Sequence, residues 1–526
     1  MQANYPDIVL SLFCAGRAVR VKAMACVMVV AAFASPVDAF ELRDVVVMAE
    51  ALAAAPWQAP AAPSAELADL DYDEYRAIRF DPGQSLWASS PGFRVQFFHP
   101  GFLFGEPVRI FEVEGGVPEE VPFSPDRFRF DPPLTGPPVG DAEGYAGFRV
   151  HFQRNRADVH DEFLVFLGAS YFRLIGQGQA YGLSARGLAL DSGGAGREEF
   201  PVFRAFWLVK PASEKAKLVV FALLDSPSVT GAYAFEIEPG KPTSMLVDAH
   251  LFARRDLVRP GIAPLTSMFT HGDTGPFLVD DFRPRVHDSD GLLVYSSRGE
   301  AQWRPLANRS QVRISAFADD SQPLGFGLLQ RRNDFEDFQD LEARYDLRPG
   351  KWVEPLAGDW GAGRVELVEI PTADETFDNI VAFWVPDAPI RAGESGYYRY
   401  RLSTVDGMMP QPQLLPIRQT MTGRGGIPGQ ASWADRSIRR FVIEFDSGTI
   451  ADTDGIEVFA ETRGGQVRES RLEILPSTNS FRAVVTLEPD ETGGASDLRV
   501  FLSRDGEKIS EVWSYVWYPD EIDRKL

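Results

Sequence analysis

Residues 286 to 291 read VHDSDG, which places His287, Asp288 and Asp290 within six positions. Carboxylates at that spacing serve calcium binding, acid–base chemistry or a tight turn, and ADTDG at 451 to 455 repeats the Asp-x-Asp-Gly spelling in another setting. A calcium loop draws acidic or amide ligands from successive alternate positions. Here the position two before Asp288 is Val286 and nothing acidic follows Asp290 until Glu300, so the stretch is short of ligands and no metal is expected. In the second copy Asp452 and Asp454 stand before Gly455 and the alternating run GIEVFAET, which reads as a hairpin turn.

The first copy has different surroundings. It lies in FLVDDFRPRVHDSDGLLVYSSRGEAQWRPLANR, where Asp280, Asp281, Arg283, Arg285, Trp303, Arg304 and Arg309 crowd together, and from 335 to 384 Tyr345, Trp352 and Trp360 stand among carboxylates. Aromatic faces stack on sugar rings and charged groups hydrogen-bond hydroxyls, so Tyr345, Trp352, Trp360, Trp303 and Arg304 are candidate substrate contacts. Taken singly each aromatic is better explained as core, and it is the clustering that points to carbohydrate. Glycoside chemistry needs one carboxyl kept protonated for the leaving oxygen and another to activate water or attack. With 75 Asp and Glu in the chain, residue types alone do not choose the pair.

Other chemistries find no support. GQGQAYG at 176 to 182 and GRGGIPG at 423 to 429 lack the G-x-G-x-x-G spacing, and there is no G-x-S-x-G elbow and no H-E-x-x-H among the six histidines, so no cofactor is expected. The formal net charge of −22 repels nucleic acid and anionic lipid, whereas a neutral sugar is indifferent to it.

The elements that must position these groups are mostly strands. Arg17, Arg20 and Lys22 precede an apolar run from Ala23 to Ala34 and the small-x-small site Val37-Asp38-Ala39, the form of a cleavable export signal over 1–39. That run is too short to span a bilayer, so an exported protein without stable membrane insertion is expected, and the non-adjacent arginines favour the general secretory route. Both cysteines, Cys14 and Cys26, lie inside this segment, so the exported chain has neither a disulfide nor a thiol nucleophile. Residues 40 to 66 read as a turn or two of alanine-rich amphipathic helix and a proline-rich connector.

Beyond it, alternation dominates. In GAYAFEIEPG, Tyr233, Phe235 and Ile237 point one way and Glu236 and Glu238 the other, and such runs recur about every ten residues, as in an antiparallel sandwich. The prolines of VDGMMPQPQLLPIRQ mark a linker at 404–414 between a large sandwich, 40–403, and an immunoglobulin-like sandwich, 415–526, built from RRFVIEF, GIEVFAET, RLEIL, FRAVVTLEP, DLRVFLSR and EVWSYVWYP. The glycine-rich loop 422–437, carrying Trp433, reads equally as a floppy connection or as a lid bringing an aromatic to a cleft.

FLGASYFRLIGQGQAYGLSARGLALD (166 to 191), DDFRPRVHDSDGL (280 to 292), the block GFGLLQRRNDFEDFQDLEARYDLRPGKWVEPLAGDWGAGRVELVEIPTADETFDNIVAFW (325 to 384) and EVWSYVW (511 to 517) closely resemble the periplasmic glucan biosynthesis proteins G and D of Gram-negative bacteria. The likeness runs from about 45 to 520 and, lacking a twin-arginine pair, is nearer the G type. The resemblance implies the two sandwiches already described and a role in making osmoregulated glucans with a β-1,2-linked glucose backbone. It also implies inverting cleavage by some members, with a general acid in the segment matching ETFDN and a general base in that matching HDSDG. By position these are Asp378 and Asp290. Asp378 stands before the apolar run IVAFW, which would keep its proton available, while Asp290 lies in an arginine-containing loop where it is expected to stay ionised. His287 and Asp288 are assigned to orienting the loop. β-1,2-Glucan is the expected partner, with the inner-membrane glucan glucosyltransferase as a second. A non-catalytic glucan-binding protein assisting nascent chains is the competing reading, and a calcium-dependent lectin a weaker third.

Overall fold

The chain's alternating runs form strands because one face of each finds a partner layer. In Val229–Glu238, Tyr233, Phe235 and Ile237 are wholly buried, as their alternation predicts. The opposite face is not solvated either: Ala232 and Ala234 are buried, and Thr230 Oγ1 donates to the Ala49 carbonyl at 2.7 Å. The cover is the helix Leu42–Ala53, whose Val45 and Ala49 pack with Ala205, Trp207 and Ala232 while Phe40 stacks on Trp207 at 5.3 Å. The alternation leads to an expectation of one or two turns here. The helix has twelve residues because docking on a sheet, rather than its own propensity, sustains it.

The computed structural model describes residues 39–521 apart from 61–63, 90–91, 138–143, 195, 214–216, 276–278, 408, 410–413, 431–432, 434, 449, 451–452, 479 and 491–492. The export signal expected over 1–39 lies outside the described residues, except Ala39. None of the described helices is long and apolar enough to cross a membrane.

Among the described residues the fold is all-β, with two large sheets of ten and fifteen strands. The first runs from Arg94–Phe98 through Gly147–Phe152 and Asp161–Leu167 to Pro260–Ser267, Ile380–Pro386, Gly363–Glu369 and the edge strand Arg313–Asp319. The second carries Val202–Val209, Leu218–Asp225, Val229–Glu238, Ser244–Ala253 and Ser395–Val405, then Gly350–Gly358, Gly325–Leu329, Gly291–Tyr295 and Ala301–Pro305. Phe166 of the first sheet meets Phe206 and Phe235 of the second at 5.2 and 5.1 Å, so the two are layers of one sandwich.

The C-terminal strands continue this architecture. Ile417–Arg424, Arg439–Phe445, Ser480–Pro489 and Gly465–Leu475 make a four-stranded sheet. Ile456–Arg463, Ser496–Arg504 and Val512–Trp517 instead extend the fifteen-stranded sheet, because Val512–Trp517 pairs in parallel with Ala301–Pro305, Trp303 opposite Trp513. Between these layers Phe441, Ile443, Val485, Trp513 and Tyr515 share a core with Leu293, Trp303 and Trp352. The chain beyond 415 is therefore a wall of the region that holds VHDSDG. Gly455 of ADTDG has φ 73°, a left-handed turn conformation leading into Ile456–Arg463; Ala451 and Asp452 lie outside the described residues.

Candidate functional site

Val286–His287 is a two-residue strand paired with Phe269–His271. The His287 ring lies on that of Phe269, centroids 5.1 Å apart and planes 1° apart, and its Nδ1–H donates to Gln330 Oε1 at 3.0 Å. Burial, then the Arg285 charge, pushes the imidazole down to about 3, so it is neutral. Asp288 is buried, takes 2.6 Å from Arg348 Nη1, and its backbone N–H donates to Met268 O at 2.9 Å. Gly291 closes the motif for a reason unlike that of Gly455: a Cβ there would stand 2.1 Å from the Trp303 ring. The same four-letter spelling thus serves a close approach in one copy and a positive φ in the other.

Asp290 is pinned by its main chain, N–H to Leu329 O at 2.9 Å and carbonyl from Leu306 N at 3.0 Å, while its carboxylate accepts the Arg331 N–H at 3.2 and 3.3 Å. It faces a cavity of about 30 Å³ lined by Phe269, Asp273, Arg285, His287, Trp303 and, from the C-terminal sheet, Gln419 and Thr420. That volume admits about one water. The nearby arginines are expected to keep Asp290 ionised; burial outweighs Arg331 and Arg285 and lifts the carboxyl to about 7, so near neutral pH both its forms are populated.

Asp378 stands at the mouth of Ile380–Pro386, beside the exposed ring of Phe377. Its side chain is 28% exposed and lies 3.9 Å from Arg173 Nη2. Burial raises its carboxyl above the usual range, Arg173 opposes that, and Asp288 adds to it. The next residue fixes it in place. Asn379 Oδ1 accepts Phe269 N–H at 2.8 Å, and Nδ2 donates to Phe269 O and Ile370 O at 3.0 and 2.9 Å. Asp378 is therefore mounted on the residue that stacks with His287, three positions from Asp290, and feels the Asp288 and Arg348 charges.

The crowding of acids and bases resolves into ion pairs. Arg283 meets Asp281, Asp340 and Glu375 at 2.7, 2.9 and 2.8 Å, and Arg285 meets Asp273 and Asp337 at 2.9 and 2.7 Å. Tyr345 is buried, donates its hydroxyl to Glu375 Oε2 at 2.9 Å and carries the Arg348 guanidinium 4.2 Å above its ring. Beneath them Lys351 is buried, donates to Leu174 O at 2.8 Å, and is pushed down to about 7 by burial and then by Arg173. Arg173, Arg348 and Lys351 escape a reading of the sequence because they are distant in the chain from both aspartates, and Glu375, three positions before Asp378 in ETFDN, escapes it because its partners Tyr345 and Arg283 are distant.

The remaining sequence candidates separate. Trp303 lines the Asp290 cavity with Arg331 stacked 3.6 Å from its ring. Arg304 on the same strand points to the other face, buried against Glu369 at 3.0 Å. Trp360 is fully buried in the main core and donates to Ala357 O at 3.0 Å, and Trp352 is packed against Tyr295 in the second core. These two are not brought to the aspartates. Trp433 is 39% exposed with Arg424 5.4 Å from its ring. Its loop begins later than 422, because Ile417–Arg424 runs as strand to Arg424 and Gly425 N–H then donates to Ile438 O at 2.8 Å. Among the described residues no group of three His, Cys, Asp or Glu is arranged to hold a metal.

The model of the family described as "Periplasmic glucan biosynthesis protein, MdoG" matches residues 40–517. The chain belongs to that family. Among the relatives of this MdoG-family protein, "Glucans biosynthesis protein G" of Rhodopseudomonas palustris (strain BisA53) is 45% identical over 484 residues, 91% of this chain and 93% of that one. "Glucans biosynthesis protein G 1" of Shewanella oneidensis is 44% identical over 482 residues, 91% of this chain and 87% of that one. The Vibrio cholerae "Glucans biosynthesis protein G" is also 44% identical, with the same coverage. Membership of the MdoG family carries with it a role in periplasmic glucan biosynthesis, and the likeness to the G-type relatives covers 91% of the chain.

Proposed function

We propose that the protein acts on the β-1,2-linked backbone of periplasmic glucan as an inverting glucanase or transglycosylase, with Asp378 as general acid and Asp290 as general base. The supporting observation is the difference in enclosure. Asp290 faces a space for about one water, too small for a sugar, while Asp378 opens to the surface beside Phe377. Asp290 takes a proton from water directly or through a substrate hydroxyl, the water oxygen attacks the anomeric carbon, the glycosidic C–O bond breaks, and the Asp378 proton goes to the leaving oxygen. In transglycosylation a sugar hydroxyl replaces the water.

The protonation states set the rate. With Asp290 at about 7, a fraction of the free protein holds a protonated base. A sugar covering Asp378 removes water from it and raises it further, so glucan binding itself favours the productive pair. The loop bearing Trp433 would close over that sugar. Export by cleavage after Ala39 and a hand-over from the inner-membrane glucan glucosyltransferase complete the reading.

Replacement Asp378→Asn is expected to lower shortening of linear β-1,2-glucan by a factor on the order of 10²–10⁴ while leaving binding, read by product chain length and calorimetry. Unchanged turnover would sink the assignment. The elevation of Asp290 also favours a second reading, a glucan-binding protein without turnover. Long incubation of the purified protein with glucan that yields no shorter product would establish that reading instead.

A further inference from the structure

Strand Ala301–Pro305 has two working faces. Trp303 and Pro305 look into the Asp290 cavity, and the alternate residues Gln302 and Arg304 line a separate cavity of about 630 Å³ on the other side of the sheet. The second cavity is walled by the edge strand Arg313–Asp319 and by the C-terminal strands Ile456–Arg463, Ser496–Arg504 and Val512–Trp517. Its volume is that of a small-ligand site.

Two polar atoms of its lining residues have no hydrogen-bond partner among the described residues. The Arg304 guanidinium, 1% exposed, spends its Nη atoms on Pro305 O and Glu369, and its Nε is buried and unpartnered. Ser514 Oγ is likewise buried and unpartnered. A buried polar atom left so costs about 1–3 kcal/mol, and a ligand relieves that cost only where the side chains covering the atom shift to open it. The charges of the walls are largely matched internally. Arg304 has Glu369, Arg499 has Glu300 at 2.6 Å, and Arg463 acts on Asp497. A charged ligand therefore finds no uncompensated partner, and the net charge of −22 repels polyanions. What remains is a wall of hydroxyl, amide, guanidinium and carboxylate groups, with Phe317 and Tyr518 as apolar surface.

We propose that this cavity is a second carbohydrate site, holding a short stretch of neutral hexose chain on the face of the sheet opposite Asp290. Donors and acceptors of both kinds beside aromatic surface are what a polyhydroxy ring needs. The identity of that chain with β-1,2-glucan rests on the function proposed above; the cavity's chemistry does not.

The test is calorimetry of the full exported chain carrying Asp378→Asn with short linear β-1,2-glucan oligosaccharides, alongside hydrogen exchange. Two sites are expected, one protecting Ser496–Arg504 and Arg313–Asp319. Adding Ser514→Leu, which sets a branched apolar side chain on the cavity wall and removes the hydroxyl, should leave one. Asp497→Ala, at an exposed position of Ser496–Arg504, should weaken that site about tenfold. A one-site isotherm in the starting protein, protection confined to the segments around Asp290 and Asp378, or two intact sites in Ser514→Leu would each overturn the proposal. If wild-type protein leaves glucan uncut yet shows the second site, the glucanase reading fails and this one stands.

Discussion

Two buried groups near the site titrate close to neutrality, and they act on stability in opposite senses. Asp290 is raised to about 7, so between the ordinary carboxylate range and pH 7 the folded state holds a proton that the unfolded state has released. Stability therefore falls as pH rises to 7 and is level above it. Lys351 is lowered to about 7, so from pH 7 to the ordinary lysine range the unfolded state holds the extra proton, and stability rises with pH. Asp290→Asn should thus raise the melting temperature more at pH 8 than at pH 4, and Lys351→Met more at pH 7 than at pH 10. Each difference should be worth about 2–4 kcal/mol in urea titrations. Equal shifts at the paired pH values would contradict the burial account. Activity that requires ionised Asp290 should fall as pH drops through 7, and this limb should persist in Lys351→Met. The position of Asp290 was legible from HDSDG and its resemblance, but its ionisation was not. The cavity that Asp290 faces is walled in part by Gln419 and Thr420, over a hundred residues away, and local arginines say nothing about that enclosure.

Strand faces explain where aromatic clustering misleads. Trp352 and Trp360 sit among carboxylates in the sequence, yet in space each is turned to a core, and the carboxylates beside them in the chain point elsewhere. The alternation in Val229–Glu238 was legible because Tyr233, Phe235 and Ile237 alternate with the two glutamates; Trp360 lies outside any strand, and Trp352 lies in Gly350–Gly358, whose first four residues are all buried, so neither carries such a phase. The connection from Asp378 to Asp290 was hidden for a related reason. It runs through Asn379, whose amide bonds the backbone of Phe269 on another element. Asn379→Ala leaves the buried Phe269 N–H and C=O and the Ile370 C=O without these partners, at about 2–4 kcal/mol in urea unfolding. Since Asp378 then loses its mount, kcat on glucan should fall with KM little changed. Asn379→Asp keeps the bond from Phe269 N–H but sets an oxygen against the Phe269 and Ile370 carbonyls, so at neutral pH it should be at least as damaging as Asn379→Ala and milder at low pH, where the protonated carboxyl donates once. A stability loss with kcat intact would mean that Asn379 serves the fold alone.

At the scale of the whole molecule, the C-terminal strands and the site are tied through one buried ion pair. Arg331 follows Gln330, the acceptor from His287, and gives its backbone N–H to Asp290. Its guanidinium meets Glu511 at 2.6 and 2.7 Å, with both side chains 1% exposed, and Glu511 also accepts Ile417 N–H at 2.8 Å. The sequence shows a proline-rich change of character at 404–414, and that linker reading makes no provision for a bond across it. Glu511→Ala strands a buried cation and should cost about 3–5 kcal/mol, whereas Arg331→Met with Glu511→Leu should recover most of it, because a packed apolar pair replaces a desolvated ionic one. Because Trp303 and the C-terminal strands share a core, Glu511→Ala should lower a single cooperative transition; two separated transitions would show that the strands beyond 415 unfold on their own. In the double variant Asp290 keeps the backbone N–H but loses the Arg331 charge, the strongest influence holding its carboxyl down. Its carboxyl then rises above 7, and the acid limb of glucan cleavage should move to higher pH although no side chain lining the Asp290 cavity has changed. An unmoved limb would show that Arg331 holds the fold without tuning the base.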